Sequence, residues 1–185
     1  MGDLVLAGAT SGTTTLTPAA VSGTTTLTLP ATTGTFITTG STGQVINKAS
    51  LPTGNVLQVV NATSSTLVST TSVTYVTTGL TATITPTSNT SKILVLANAA
   101  MQGVASQNTS ITLYKNGTNL LGAVGLGYIN AQTQLSNQIT ATLYLDSPAT
   151  TSATTYEIYF KTSAGTAYFA AGASTSTITL MEIAA

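Results

Sequence analysis

Cysteine, histidine, tryptophan and arginine are all missing from this chain, and only four lysines and four carboxylates occur in 185 residues. Without cysteine there are no disulfides and no thiolate zinc sites, and either redox compartment is compatible. Without histidine or cysteine, enzymes' usual general base and best nucleophile are both missing. Lys48, Lys92, Lys115 and Lys161 lie far apart in sequence. Binding to phosphate backbones needs clustered cations, so no nucleic-acid partner is expected. No run approaches the roughly 18 apolar residues of a membrane span, so no membrane insertion is expected. Met1-Gly2-Asp3 lacks the basic start and long apolar core of a secretory signal. Leu6 stands where a myristoylation motif after Gly2 requires Ser or Thr.

Charged residues make up 4% of the chain and the net charge is zero, against about a quarter charged in an ordinary soluble domain. Solubility then rests on Thr, Ser, Asn and Gln, and on hiding apolar area inside an assembly. Near-zero net charge favours association. The positive mean hydropathy argues against disorder, which goes with low hydropathy and high net charge.

What is present begins with a repeat. GTTTLTPAAVS at 12–22 is followed by GTTTLTLPATT at 23–33, and a decayed third copy starts at Gly34. Residues 2–11 form an imperfect earlier copy in which Leu4 and Leu6 alternate as in a short strand. β-Branched Thr favours extended backbone, recurring Gly marks turns, and Pro18 and Pro30 forbid a helix. Each unit buries too little alone, so stacked copies or several wrapped chains are required. With so few copies, residues 1–50 are expected to be a short stem or docking segment. GSTGQVINKASLPTG at 40–54 reads as the hinge.

From residue 55 onward strand follows strand, VLQVVNA at 56–62 and SVTYV at 72–76 among them. Leu80, Ala82 and Ile84 share one face, as do Tyr156, Ile158 and Phe160. ILVLA at 93–97 is apolar on both faces and predicts a strand covered on both sides, central in a sandwich or at a subunit contact. Asn116-Gly117 between alternating runs predicts a hairpin. Residues 122–138 read as a long Gly/Asn/Gln loop. Residues 139–145 alternate Ile, Ala, Leu and Leu against Thr, Thr and Tyr, and STITLMEI at 176–183 closes the fold. The expectation is an all-β chain: the stem, then an antiparallel β-sandwich or jelly-roll head of about eight strands over 51–185.

Five ordered segments carry a resemblance: LPTGNVLQVVNAT (51–63), SVTYVTTGLTATITPTSNTSKILV (72–95), ITLYKNGTNLLG (111–122), YLDSPATTSATTYEIYF (144–160) and STITLMEI (176–183). Together they resemble the carboxy-terminal heads of bacteriophage tail-fibre and related virion-appendage proteins, especially of marine phages. The front repeats resemble the start of many such proteins. The resemblance implies a homotrimer with a C1q/TNF-like jelly-roll head, on a virion tail or capsid exterior. The family has no fixed catalytic motif, so no functional residue is carried over.

Asp3, Asp146, Glu157 and Glu182 are the only carboxylates. Glu157 with Glu182 is the one pair a glycosidase could use, and catalysis is not expected from it. Glu182 shares a face with Ile178 and Leu180, so in a buried position it needs a partner; the candidates are Lys92 and Lys161, within the chain or across a subunit boundary, and the alternative is a fraying strand end in water. Gly122, Gly125 and Gly127 lack the Lys-Ser/Thr of a phosphate loop. A candidate receptor loop carries Tyr128, Asn130, Gln132 and Gln134, because an aromatic face beside neutral amides suits sugars. Against it stands an ordinary variable loop or a trimer contact. Asn61, Asn108 and Asn116 head chance glycosylation sequons. Acidic residues are too few for a calcium cage, and neither metal nor cofactor is expected. The expected partners are copies of the chain, other virion proteins through the stem, and a host-surface glycan or protein. The alternatives are a capsid fibre or decoration protein, a cellular adhesin or surface-layer subunit, and, last, a polysaccharide-degrading spike.

Overall fold

Residues with β-branched side chains at every second position hold the backbone extended, and strands dominate the described part of the chain. The structure is a computed structural model that describes residues 4–7, 13–16, 53–103, 106–131 and 136–185. The chain divides into two units, 1–45 and 46–185.

In the first unit β1 (Leu4–Ala7) pairs antiparallel with β2 (Thr13–Leu16), setting Leu4 opposite Leu16 and Leu6 opposite Thr14. The strand expected at Leu4 and Leu6 is therefore present, and the first Thr-Thr-Thr-Leu is its partner. The second repeat copy and residues 40–52 of the hinge lie outside the described residues.

The second unit carries the other strands. These are β3 (Val56–Ser64), β4 (Val68–Thr70), β5 (Val76–Ile84), β6 (Lys92–Gly103), β7 (Gln107–Lys115) and β8 (Thr118–Asn119). They continue with β9 (Gly127–Ala131), β10 (Ser136–Asp146), β11 (Thr154–Thr162), β12 (Ala167–Phe169) and β13 (Ser176–Ile183). The fold is all-β, with two antiparallel sheets forming a β-sandwich. In the first sheet β6 pairs β10 along one edge, and β13 and then β12 along the other; β3 lies outside β13 and β4 outside β12. In the second, β11 lies between β5 and β7, and β7 carries β8 and β9 on its far edge. Four of these ladders nest in sequence: β7 with β9 inside β6 with β10, inside β5 with β11, inside β3 with β13.

The core lies between the sheets. Leu80, Ala82 and Ile84 of β5 and Tyr156, Ile158 and Phe160 of β11 face Ile93, Val95 and Ala97 of β6 and Ile178 and Leu180 of β13, all buried. Phe160 and Phe169 meet at 6.5 Å between centroids. The Asn-Gly hairpin forms as expected: Asn116 and Gly117 take φ of 48° and 78°, Lys115 pairs with Thr118, and Asn116 Oδ1 accepts the Thr155 amide at 2.8 Å. At the base of the unit the Gly54 amide donates to Ala184 O at 2.7 Å, and the Ala184 amide donates to Asn55 O at 2.9 Å.

Two expectations need correction. Residues 122–138 are not one loop, because β9 pairs with β7 and β10 begins at Ser136. Residues 72–75 are not strand: β4 ends at Thr70, and β5 starts at Val76 after a turn in which the Ser72 hydroxyl accepts the Thr74 amide at 3.0 Å.

Candidate functional site

The two sheets turn chemically opposite outer faces to their surroundings. On the first sheet the register puts Leu145 of β10, Leu94 of β6, Met181 of β13 and Val59 of β3 in one row across four strands. Leu143 with Leu96 flanks this row on one side, and Ile183 with Val56 on the other. Leu143 is 65% exposed, Val59 56%, Val56 50% and Leu145 48%; Ile139, further along β10, reaches 72%. The row ends at a depression of about 380 Å³ lined by Thr53, Gly54, Lys92, Leu145, Ile183 and Ala184. The expectation for 93–97 is thus met on one side only within the chain: Ile93, Val95 and Ala97 are buried, while Leu94 and Leu96 face outward, half-buried.

β10 accounts for much of this face because its sidedness runs against simple patterning. Its polar residues Thr140, Thr142, Tyr144 and Asp146 stand opposite the inward residues Ala99, Ala97, Val95 and Ile93, and its apolar residues point out. The buried one among them, Asp146, is engaged. Asp146 takes both oxygens to Lys115 Nζ (3.1 and 2.8 Å) and accepts the Tyr156 hydroxyl at 2.6 Å. Burial first, and then the Asp146 carboxylate, push the Tyr156 phenol far above its ordinary range. This cluster joins β10 of one sheet to β7 and β11 of the other.

On the second sheet the outward residues are Thr155, Glu157, Tyr159 and Lys161 of β11, Asn108, Ser110 and Tyr114 of β7, and Tyr128 and Asn130 of β9, while Thr112 at the same parity is buried and donates to Asn119 Oδ1. Lys161, Ser110 and Tyr128 form one cross-strand row, with Asn108 opposite Asn130 in the next. Tyr114 and Tyr159 stack at 3.8 Å and 14°. Lys161 Nζ lies 4.4 Å over the Tyr75 ring and donates to Ala123 O at 2.9 Å. Glu157 accepts the Thr77 hydroxyl. Asn130 Nδ2 donates to Asn108 Oδ1 at 2.7 Å, the Asn108 backbone N–H to Ser163 Oγ at 3.0 Å, and Ser163 Oγ to Gln107 Oε1 at 3.0 Å.

Of the candidate receptor residues, Tyr128 and Asn130 therefore lie side by side on one face, on a strand rather than a loop; Gln132 and Gln134 lie outside the described residues. Tyr75, Tyr114, Tyr159 and Asn108 on that face were not singled out by sequence. The outward parity of Glu157, Tyr159 and Lys161 was the one signal available for part of it.

Glu182 is buried rather than at a solvated strand end, and its partners are not the expected lysines. Its carboxylate accepts Gln58 Nε2 at 2.5 Å and both the amide and hydroxyl of Thr87 at 2.7 Å. Burial alone would raise its pKa; the Thr87 and Gln58 hydrogen bonds outweigh that and hold it below the ordinary 4.5. Within the chain neither Lys92 nor Lys161 pairs with it. Lys92 stands opposite Ile183 on the outer face, and Lys161 is on the other sheet. Glu157 and Glu182 likewise belong to different sheets, one facing outward and one inward, so no shared cleft brings them together.

No protein-family model matches the chain, and a search of curated proteins returns no match.

Proposed function

We propose that this chain is a non-enzymatic virion structural protein: a tail fibre or fibre-like appendage whose second unit assembles as a homotrimeric head. The observation that carries this reading is the apolar row Leu145, Leu94, Met181 and Val59 with its neighbours. A contiguous apolar face on an otherwise Thr-rich surface marks an interaction site. The chain has almost no charge to oppose a neutral copy of itself. Burying each of the half-exposed leucines and valines contributes about 1 kcal/mol, multiplied over the subunits of a ring. The nested ladders follow the winding of a jelly roll, which supports the finer description of the head and agrees with the family resemblance of its segments. The stem docks on virion partners, and the head turns its polar face outward to the host surface.

Light scattering on the full chain tests the assembly. We expect three times the 18.5 kDa chain mass at micromolar concentration, and the mass of one chain for Leu143→Asp/Leu145→Asp with an unchanged circular dichroism spectrum. A wild-type monomer would remove the assembly reading. Antibody against the chain, imaged on purified phage particles, tests the virion location; particles that stay unlabelled at both tail and capsid exclude it.

A further inference from the structure

The outer face of the second sheet is neither a core surface nor a plain solvated one. Four of the seven tyrosines, Tyr75, Tyr114, Tyr128 and Tyr159, are gathered on it. They are not equivalent. Tyr114 and Tyr159 cover each other by stacking, and Lys161 covers Tyr75. Tyr128 is 63% exposed, in register with Ser110 and next to the amide pair Asn108 and Asn130. An exposed aromatic ring on a rigid strand offers a large contact at little cost in conformational entropy.

The charges on this face are already engaged. The Lys161 ammonium is held by the Ala123 carbonyl and the Tyr75 ring, and the Glu157 carboxylate by Thr77. What the face offers a ligand is a ring, a hydroxyl and amides. The Asn130 side-chain amide is held by Asn108 Oδ1, while the Asn108 backbone N–H donates to Ser163 Oγ, which in turn donates to Gln107 Oε1. A side-chain amide has two donor hydrogens and two acceptor lone pairs, more than these bonds use. The matching ligand has an apolar C–H face and a rim of neutral hydroxyls. We infer that Tyr128, with Asn108, Asn130 and Ser110, forms a binding site for a neutral pyranose: the ring of Tyr128 takes the sugar's C–H face, and the amides and the Ser110 hydroxyl take its hydroxyl groups. The inference rests on the reading of the head as an outward-facing adhesive part, and it names the ligand class of that face.

The test uses the full chain with defined probes: the methyl glycosides of glucose, galactose, mannose and N-acetylglucosamine, and that of N-acetylneuraminic acid as the charged counterpart. Saturation-transfer NMR reads contact with the sugar ring protons. Tyrosine fluorescence gives a second readout, unobscured because the chain has no tryptophan. At least one neutral glycoside is expected to respond, with affinity lowered roughly fivefold in Tyr128→Ala, the loss of one stacking contact, and largely kept in Tyr128→Phe. Silence from every neutral glycoside, equal binding by Tyr128→Ala, or a response confined to the charged glycoside overturns the site. Light scattering on the same samples separates the two ideas. An intact oligomer with no sugar response rejects the site alone, and a monomer that binds sugar rejects the assembly alone.

Discussion

Glu182 shows how one side chain can hold a distant loop. Its two oxygens take three donors from β3 and from the turn after β5, and each is a neutral group. Glu182→Gln puts an N–H₂ against at least one of those donors, and a stability loss of about 1–3 kcal/mol is expected in chemical denaturation. The pH dependence has a definite sign. The folded pKa is depressed, so the contribution is complete above the unfolded value near 4.5 and is lost as pH falls from there through the folded value. The thermal midpoint of the wild type should therefore drop on acidification below about pH 5, and that part of the drop should be missing in Glu182→Gln. The need for a partner was legible in the sequence, since a carboxylate sits at the inward parity of an apolar strand. The partners themselves were not, because Gln58 and Thr87 come from segments 124 and 95 residues away.

Among the elements, the hairpin at Asn116-Gly117 was the most legible, because its signal is local: both residues must take positive φ. Nothing lies within 4 Å of where a Cβ on Gly117 would sit, so Gly117→Ala should cost only the left-handed backbone penalty, about 1–2 kcal/mol by denaturant titration. Core-facing strands were legible for a similar reason: Leu80, Ala82 and Ile84 alternate with threonines. β9 was missed because Gly-Tyr-Ile-Asn-Ala has one strongly apolar inward residue, Ile129, and becomes a strand only by pairing with β7. β10 shows a different limit. Alternation separates its two faces but does not say which one meets the core, and Thr142 and Tyr144 point inward where patterning would have placed Leu143.

For the whole molecule, the scarcity of charge sets how the proposed assembly would respond to conditions. An interface made from leucine, valine, isoleucine and methionine has no ion pairs to screen, so salt should scarcely weaken it. Association with folded copies stabilises by mass action. The thermal midpoint is therefore expected to rise with chain concentration and to stay nearly constant from about 0.05 to 0.5 M sodium chloride, as differential scanning calorimetry would record. A midpoint independent of concentration would mean that the apolar face contributes nothing to stability. At this scale the sequence announced a charge-poor β protein, whereas the separation of an apolar from a tyrosine-bearing face needed the register of both sheets.

The hydrogen bonds between Gly54 and Ala184 and between Ala184 and Asn55 put the two ends of the second unit side by side. Its chain enters and leaves at one pole. The order of strands along the polymer is thus separable from their order in space: a short linker from residue 185 back to 53, with new ends opened in the exposed 149–152 turn, leaves every ladder intact. Cargo fused at Ala185 would by the same geometry hang at the pole where the chain enters the unit, clear of the turns at the opposite end.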